Sequence, residues 1–70
     1  MFAIQCVNQY GNKPRPYMTG GIRADGIAEG TTDPALAAKF NTADEAYAML
    51  DSMTPGRGVS RYNCEAVAIN

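Results

Sequence analysis

Residues 41–50, NTADEAYAML, constrain the fold of this chain most strongly because they have the pattern of a helix start. Thr42 and Glu45 have the spacing of a capping box, in which the threonine hydroxyl accepts from the Glu45 N–H and the glutamate carboxylate reaches back. Asp44 and Glu45 also place negative charge in the first turn, which suits the helix dipole. The segment therefore predicts a helix that begins just after Thr42.

The apolar residues that follow recur at i, i+3, i+4 and i+7, the spacing of one buried helix face. They are Ala46, Met49, Leu50 and Met53. Residues 54–58, TPGRG, predict the end of the helix, because Pro55 cannot continue it and Gly56 or Gly58 can adopt positive φ. One main helix is expected, and it needs a surface to pack against.

Three segments predict the strands of that surface. Residues 2–8 alternate, with Phe2, Ile4 and Cys6 on one face. Residues 17–22, YMTGGI, predict a second strand whose glycine pair indicates a bulge or a bend. Residues 60–69 predict a last strand, and small residues on one of its faces would let the helix approach closely. That face, expected to be in the core, comprises Tyr62, Cys64, Ala66 and Ala68.

The connecting segments are rich in turn formers. Residues 8–16 include the turn formers Gly11, Asn12, Pro14 and Pro16, and the two prolines exclude a central strand there. Residues 23–32 predict an ordered loop or a second hairpin around Asp25–Gly26. Asp33 and Pro34 predict a turn or two of helix over residues 34–38. The fold expected is α+β, one domain over residues 1–70, with one main helix on a small antiparallel sheet of three strands, or four.

Cys6 and Cys64 are expected in the same layer of this fold, on the first and last strands. The favoured interpretation is two buried, reduced thiols that act as small apolar side chains. The alternative is a disulfide that joins the two strands and contributes about 4 kcal/mol on the chain-entropy model. Because the chain has two cysteines and no histidine, a structural zinc site is not predicted, and neither is another metal or a cofactor.

Length and charge narrow the function classes. A chain of 70 residues buries only about 60% of its unfolded surface, so a homodimer through Val67 and Ile69 is one way to supplement the core. Six basic and seven acidic residues give a net charge of −1, without the positive excess typical of phosphate binding. Neither a membrane span nor a signal peptide is recognisable, which predicts a cytoplasmic protein.

The sequence does not predict an enzyme. A nucleophile needs a base and an orienting group, and histidine is absent. The glycines of residues 19–30 match neither a Walker loop nor a dinucleotide fingerprint. The acidic residues are better explained by helix capping, by solvated surface, or by loops whose spacing fits no calcium site. These are Asp44, Glu45 and Asp51 on the helix, and Asp25, Glu29 and Asp33 before it.

A partner-binding surface is predicted at residues 10–17, YGNKPRPY, where tyrosines and basic residues are interleaved on a proline-stiffened turn. Tyrosine and arginine are enriched in interface hot spots, and rings with cations also suit single-stranded nucleic acid. Two arginines near the other end of the sheet can add a second positive patch. The predicted site residues are Tyr10, Lys13, Arg15, Tyr17, Arg57 and Arg61.

The order strand, glycine-rich turn, strand, T-D-P…A…F-x-T-x-D-E-A, helix, strand resembles small phage- and prophage-encoded β-β-α-β proteins. The matching residues are Thr32, Asp33, Ala38, Phe40, Thr42, Glu45 and Ala46. The resemblance implies a stoichiometric inhibitor, similar to anti-CRISPR proteins, that binds a protein or nucleoprotein complex in the cytoplasm of a bacterial host. The alternative is a small nucleic-acid-binding regulator that uses the basic and aromatic residues named above.

Overall fold

The structure is a computed structural model, which describes residues 1–7, 15–54 and 56–69. Its elements are the strands β1 (Phe2–Cys6), β2 (Tyr17–Ile22), β3 (Ala28–Thr31) and β4 (Cys64–Ala68), a 3₁₀ turn (Pro34–Leu36) and one helix, α1 (Ala43–Ser52). The strands form one four-stranded antiparallel sheet in the order β3-β2-β1-β4. The predicted α+β class is confirmed, and the glycine-rich segment is the second hairpin.

The start of α1 follows the capping pattern. The Glu45 N–H donates to the Thr42 hydroxyl at 3.1 Å, and the Glu45 carboxylate accepts from the N–H of Asn41 at 3.2 Å. The Glu45 N–H, which the first helical turn cannot pair internally, is therefore satisfied by a side chain, and so is the N–H of Asn41 just before the helix. The helix ends at Ser52, and Gly56 and Gly58 then take φ of 102° and 76°.

Thr42→Ala is expected to lower the free energy of unfolding by about 1 kcal/mol, because the Glu45 N–H loses its acceptor. Thr42→Ser keeps a hydroxyl at the same position and is the matched control. Its free energy of unfolding is expected to change by only a few tenths of the loss in Thr42→Ala. Urea denaturation followed by circular dichroism measures both. Equal losses in the two variants would show that the threonine methyl, not the cap, stabilises this position.

β2 leaves β1 soon after it begins. Gly20 has φ of 90° at a register shift between Met18 and Ile22, where a side chain would be strained. The strand beyond this bulge pairs with β3, and residues 38–40 contact both β2 and β1. The Ala38 N–H donates to Met18 at 3.0 Å, and Phe2 and Phe40 exchange two backbone hydrogen bonds of 2.8 Å. The segment before α1 thus completes the sheet at this point, which the sequence pattern did not predict.

The core lies between α1 and the face of β1 and β4 that carries Ile4 and Cys64. Ile4 is 1% exposed and Leu50 is 0% exposed. The remaining members of this buried cluster are Met18, Ala46, Met53 and Cys64. Three of the four residues of the predicted helix face are fully buried, and Met49 is half-buried against them.

The prediction for the last strand is wrong at its beginning. β4 starts at Cys64, and Tyr62, which was assigned to the core face, is 96% exposed in the preceding turn. Cys64 is buried and Ala66 packs against the core, as predicted, whereas Ala68 is exposed. The alternation of polar and apolar residues continues into residues 60–63, but side-chain hydrogen bonds there favour a turn.

Other details also depart from the expectations. The helical turn predicted for residues 34–38 is a 3₁₀ turn of Pro34–Leu36, in which Asp33 accepts from the N–H of Ala35 at 2.9 Å. Val67 and Ile69, expected to be exposed, are half-buried, which leaves less of their surface for a dimer contact. Ala3 is fully buried although it points away from the Ile4 face.

Candidate functional site

The first predicted binding segment, residues 10–17, is described only from Arg15 onward. Tyr10 and Lys13 lie outside the described residues. Arg15 and Tyr17 are half-buried, and Tyr17 is a strand residue placed between Gln5 of β1 and Thr31 of β3. The Tyr17 backbone is therefore part of the sheet. Because its side chain is half-buried, it offers a partner less surface than an exposed tyrosine on a turn would. The binding role of this segment stays a prediction.

The second predicted patch consists of two arginines that contact different elements. Arg57 donates from Nη1 to the carbonyl of Gly26 at 3.2 Å, and its own carbonyl accepts from the N–H of Ala28 at 2.9 Å. It therefore holds the loop after α1 against the β2–β3 hairpin. Arg61 instead contacts α1, through Asp51 and Tyr47. Arg57 therefore connects the loop after α1 to the β2–β3 hairpin, whereas the Arg61 side chain is held against α1.

The Arg61 guanidinium is held by a bidentate ion pair and by an aromatic ring. Its Nε and Nη2 donate to the two carboxylate oxygens of Asp51 at 3.0 and 2.8 Å. The guanidinium carbon lies 4.5 Å from the centre of the Tyr47 ring, within the range of a cation–π contact. Because the planar Arg61 guanidinium makes two hydrogen bonds and also stacks on a ring, it has a single preferred orientation.

This ion pair also changes the charge that the surface presents. The hydrogen bonds from Arg61 hold the pKa of the Asp51 carboxyl below its ordinary value, and the same bonds raise the pKa of the Arg61 guanidinium. Both side chains are about half exposed, at 58% and 53%. Since a carboxylate already neutralises this arginine, Arg61 has less charge available for a phosphate than a lone arginine would have.

Tyr62, beside Arg61 in the chain, is the most exposed large apolar side chain in the described part of the molecule. Its turn is closed by hydrogen bonds around Ser60: the Tyr62 N–H donates to the Ser60 hydroxyl at 3.2 Å, and the Ser60 N–H donates to the Asn63 side chain at 2.9 Å. The N–H groups of Asn63 and Cys64 both donate to the Ser60 carbonyl. The exposed Tyr62 ring is therefore attached to a hydrogen-bonded turn.

Arg61 contacts both Tyr47 and Asp51, and Tyr62 is the next residue in the chain; we call these four residues the tyrosine–arginine surface. Of these four residues, only Arg61 was predicted from the sequence as a binding residue. The signal for Tyr62 was the pair Ser60 and Asn63, which are residues that favour turns through side-chain to backbone bonds.

The acidic residues of the loops have other partners. Asp25 pairs with Arg23 at 2.9 Å, Glu29 accepts from the Thr19 hydroxyl at 2.7 Å, and Asp33 caps the 3₁₀ turn. Within residues 1–7, 15–54 and 56–69, three or more potential metal ligands do not come together. Over the same ranges, no helix is long and apolar enough to span a membrane.

Comparison with protein-family models, with curated protein sequences and with solved structures finds no match to this chain.

Proposed function

We propose that this protein is a non-enzymatic interaction module that binds a protein partner through the tyrosine–arginine surface. The observation that carries the proposal is Tyr62, 96% exposed on a hydrogen-bonded turn. A tyrosine ring offers a large contact area together with a hydroxyl. Because the turn is already ordered, binding loses little backbone entropy. Tyrosine and arginine are also the residue types enriched at interface hot spots.

The partner class that we propose is a bacterial host or defence complex, with the protein acting as a phage-encoded inhibitor. This part of the proposal is supported by the resemblance of the sequence to small phage-encoded β-β-α-β proteins. The pairing of Arg61 with Asp51 favours a protein partner over bare nucleic acid, since the ion pair presents both a donor and an acceptor group.

The test is affinity capture of tagged protein from bacterial lysates, with and without nuclease treatment, followed by mass spectrometry. Arg61→Ala is compared with Arg23→Ala, a matched control whose side chain is equally exposed and also paired with an aspartate, Asp25. We expect a stoichiometric protein partner that survives nuclease treatment, that Arg23→Ala retains, and that Arg61→Ala and Tyr62→Ala lose.

The alternative, a nucleic-acid-binding regulator, predicts the opposite results. Its captured material would disappear on nuclease treatment, and its affinity for DNA or RNA would fall steeply with salt. Loss of Arg57 or Arg15 would then matter more than loss of Tyr62. Either of the first two results would displace the proposed function.

A further inference from the structure

Cys6 and Cys64 lie directly opposite each other on β1 and β4. Their N–H groups donate elsewhere, to Pro16 and Ser60 respectively, and the next pair outward is joined by the Val7 N–H to Asn63 bond of 2.8 Å. In an antiparallel ladder, this places the cysteines at a non-hydrogen-bonded pair, where Cα atoms are about 4.5 Å apart and side chains are closest. A disulfide requires Cα atoms about 4.4–6.8 Å apart. The register therefore suits a disulfide between the two strands.

The two thiols also share a route to solvent. Cys64 is only 4% exposed, but both cysteines line a surface pocket of about 460 Å³ whose walls include Met18, Ile27 and Val59. The volume is within the range of small-molecule sites, about 300–1,000 Å³. Cys6 is half-buried and is the more accessible of the two. Cys6 is therefore the thiol expected to react first, and Cys64 lines the same pocket.

We propose that Cys6 and Cys64 form a thiol–disulfide exchange site, which reacts with a small-molecule disulfide such as oxidised glutathione and joins β1 to β4. Cys6, after losing its proton to solvent, attacks one sulfur of the reagent, and the released thiolate takes up a proton. Cys64 then loses its proton, attacks the Cys6 sulfur and expels the second thiol. Two protein thiols are oxidised to one disulfide, and one reagent disulfide is reduced to two thiols.

The pH dependence of the second step follows from the surroundings of Cys64. Burial raises the pKa of the Cys64 thiol above its ordinary value, and a backbone hydrogen bond with Ser60 opposes this rise. In the reduced protein the Cys6 thiolate raises the pKa of Cys64 further, but this contribution disappears once Cys6 is part of the mixed disulfide. Because the thiolate is the attacking species, ring closure is expected to accelerate with rising pH and to go on accelerating above the ordinary thiol value of 9.0. Near neutral pH, where little of the Cys64 thiol is ionised, the mixed disulfide on Cys6 is expected to be detectable as an intermediate.

The test incubates the full reduced chain with oxidised glutathione and follows intact mass and thermal unfolding. We expect a monomeric product that has lost two hydrogens, carries no glutathione and resists alkylation by iodoacetamide. Because the disulfide closes a long loop, the melting temperature of the oxidised protein is expected to be about 15 °C above that of the reduced protein. Reduction is expected to restore the original melting temperature.

Two variants separate the steps. Cys64→Ala is expected to stop at a glutathione adduct on Cys6, and Cys6→Ala is expected to react more slowly than wild type. If Cys64→Ala does not fold, the intact mass and melting temperature of the oxidised wild-type protein still test the proposal. A wild-type chain that stays reduced, stops at the adduct, forms only intermolecular dimers, or melts at a lower temperature when oxidised would overturn the proposal.

Discussion

Replacing Leu50 with alanine is expected to lower the free energy of unfolding by about 3–4 kcal/mol, the middle of the range for a fully buried leucine. Leu50 is 0% exposed and lies in the same buried cluster as Ile4 and Met53. Its loss removes transfer free energy and leaves a cavity between α1 and the sheet. Small domains have about 0.05–0.15 kcal/mol of stability per residue, so this change removes a large part of the total.

The matched control is Leu36→Ala, the same chemical change at a side chain that is 64% exposed on the 3₁₀ turn. We expect this variant to remain within about 0.5 kcal/mol of wild type. Urea denaturation monitored by circular dichroism measures both variants on one scale. A Leu50→Ala loss below about 1 kcal/mol would mean that the core closes over the gap, contrary to the packing described above.

The parts of the fold that the sequence predicted are those determined within one turn or one strand. Thr42 and Glu45 specify the start of α1 through bonds that span only a few residues. The apolar spacing after them identified Leu50 as a core residue. Alternation within β1 and β4 likewise put Cys6 and Cys64 in one layer, although only the register shows that they are direct partners.

The parts that the sequence did not predict depend on contacts between distant segments. Whether β2 or residues 38–40 lies beside Phe2 depends on the bulge at Gly20 and on the length of the following loop. The Arg61–Asp51 ion pair exists because the turn before β4 lies next to the last turns of α1. Residue spacing along the chain does not indicate which distant segments come into contact. The tyrosine–arginine surface could therefore not be recognised from the sequence pattern alone.

Tyr62→Ala is expected to weaken binding of the proposed protein partner by about 30-fold, equivalent to a hot-spot loss of about 2 kcal/mol. The ring is almost wholly exposed, so the free energy of unfolding should change by no more than about 0.5 kcal/mol. Titration of the captured partner against each variant, together with urea denaturation, separates lost binding from lost folding.

Tyr62→Phe then distinguishes the ring from its hydroxyl. Affinity close to wild type in this variant is expected if the ring fills an apolar pocket, whereas a loss as large as that of Tyr62→Ala would assign the contact to a hydrogen bond. Arg23→Ala should leave the affinity unchanged and Arg61→Ala should reduce it, because only Arg61 shares the surface with Tyr47. If Tyr62→Ala binds as tightly as wild type, the partner contacts another face of the molecule, and the proposed site is wrong even if the protein is an interaction module.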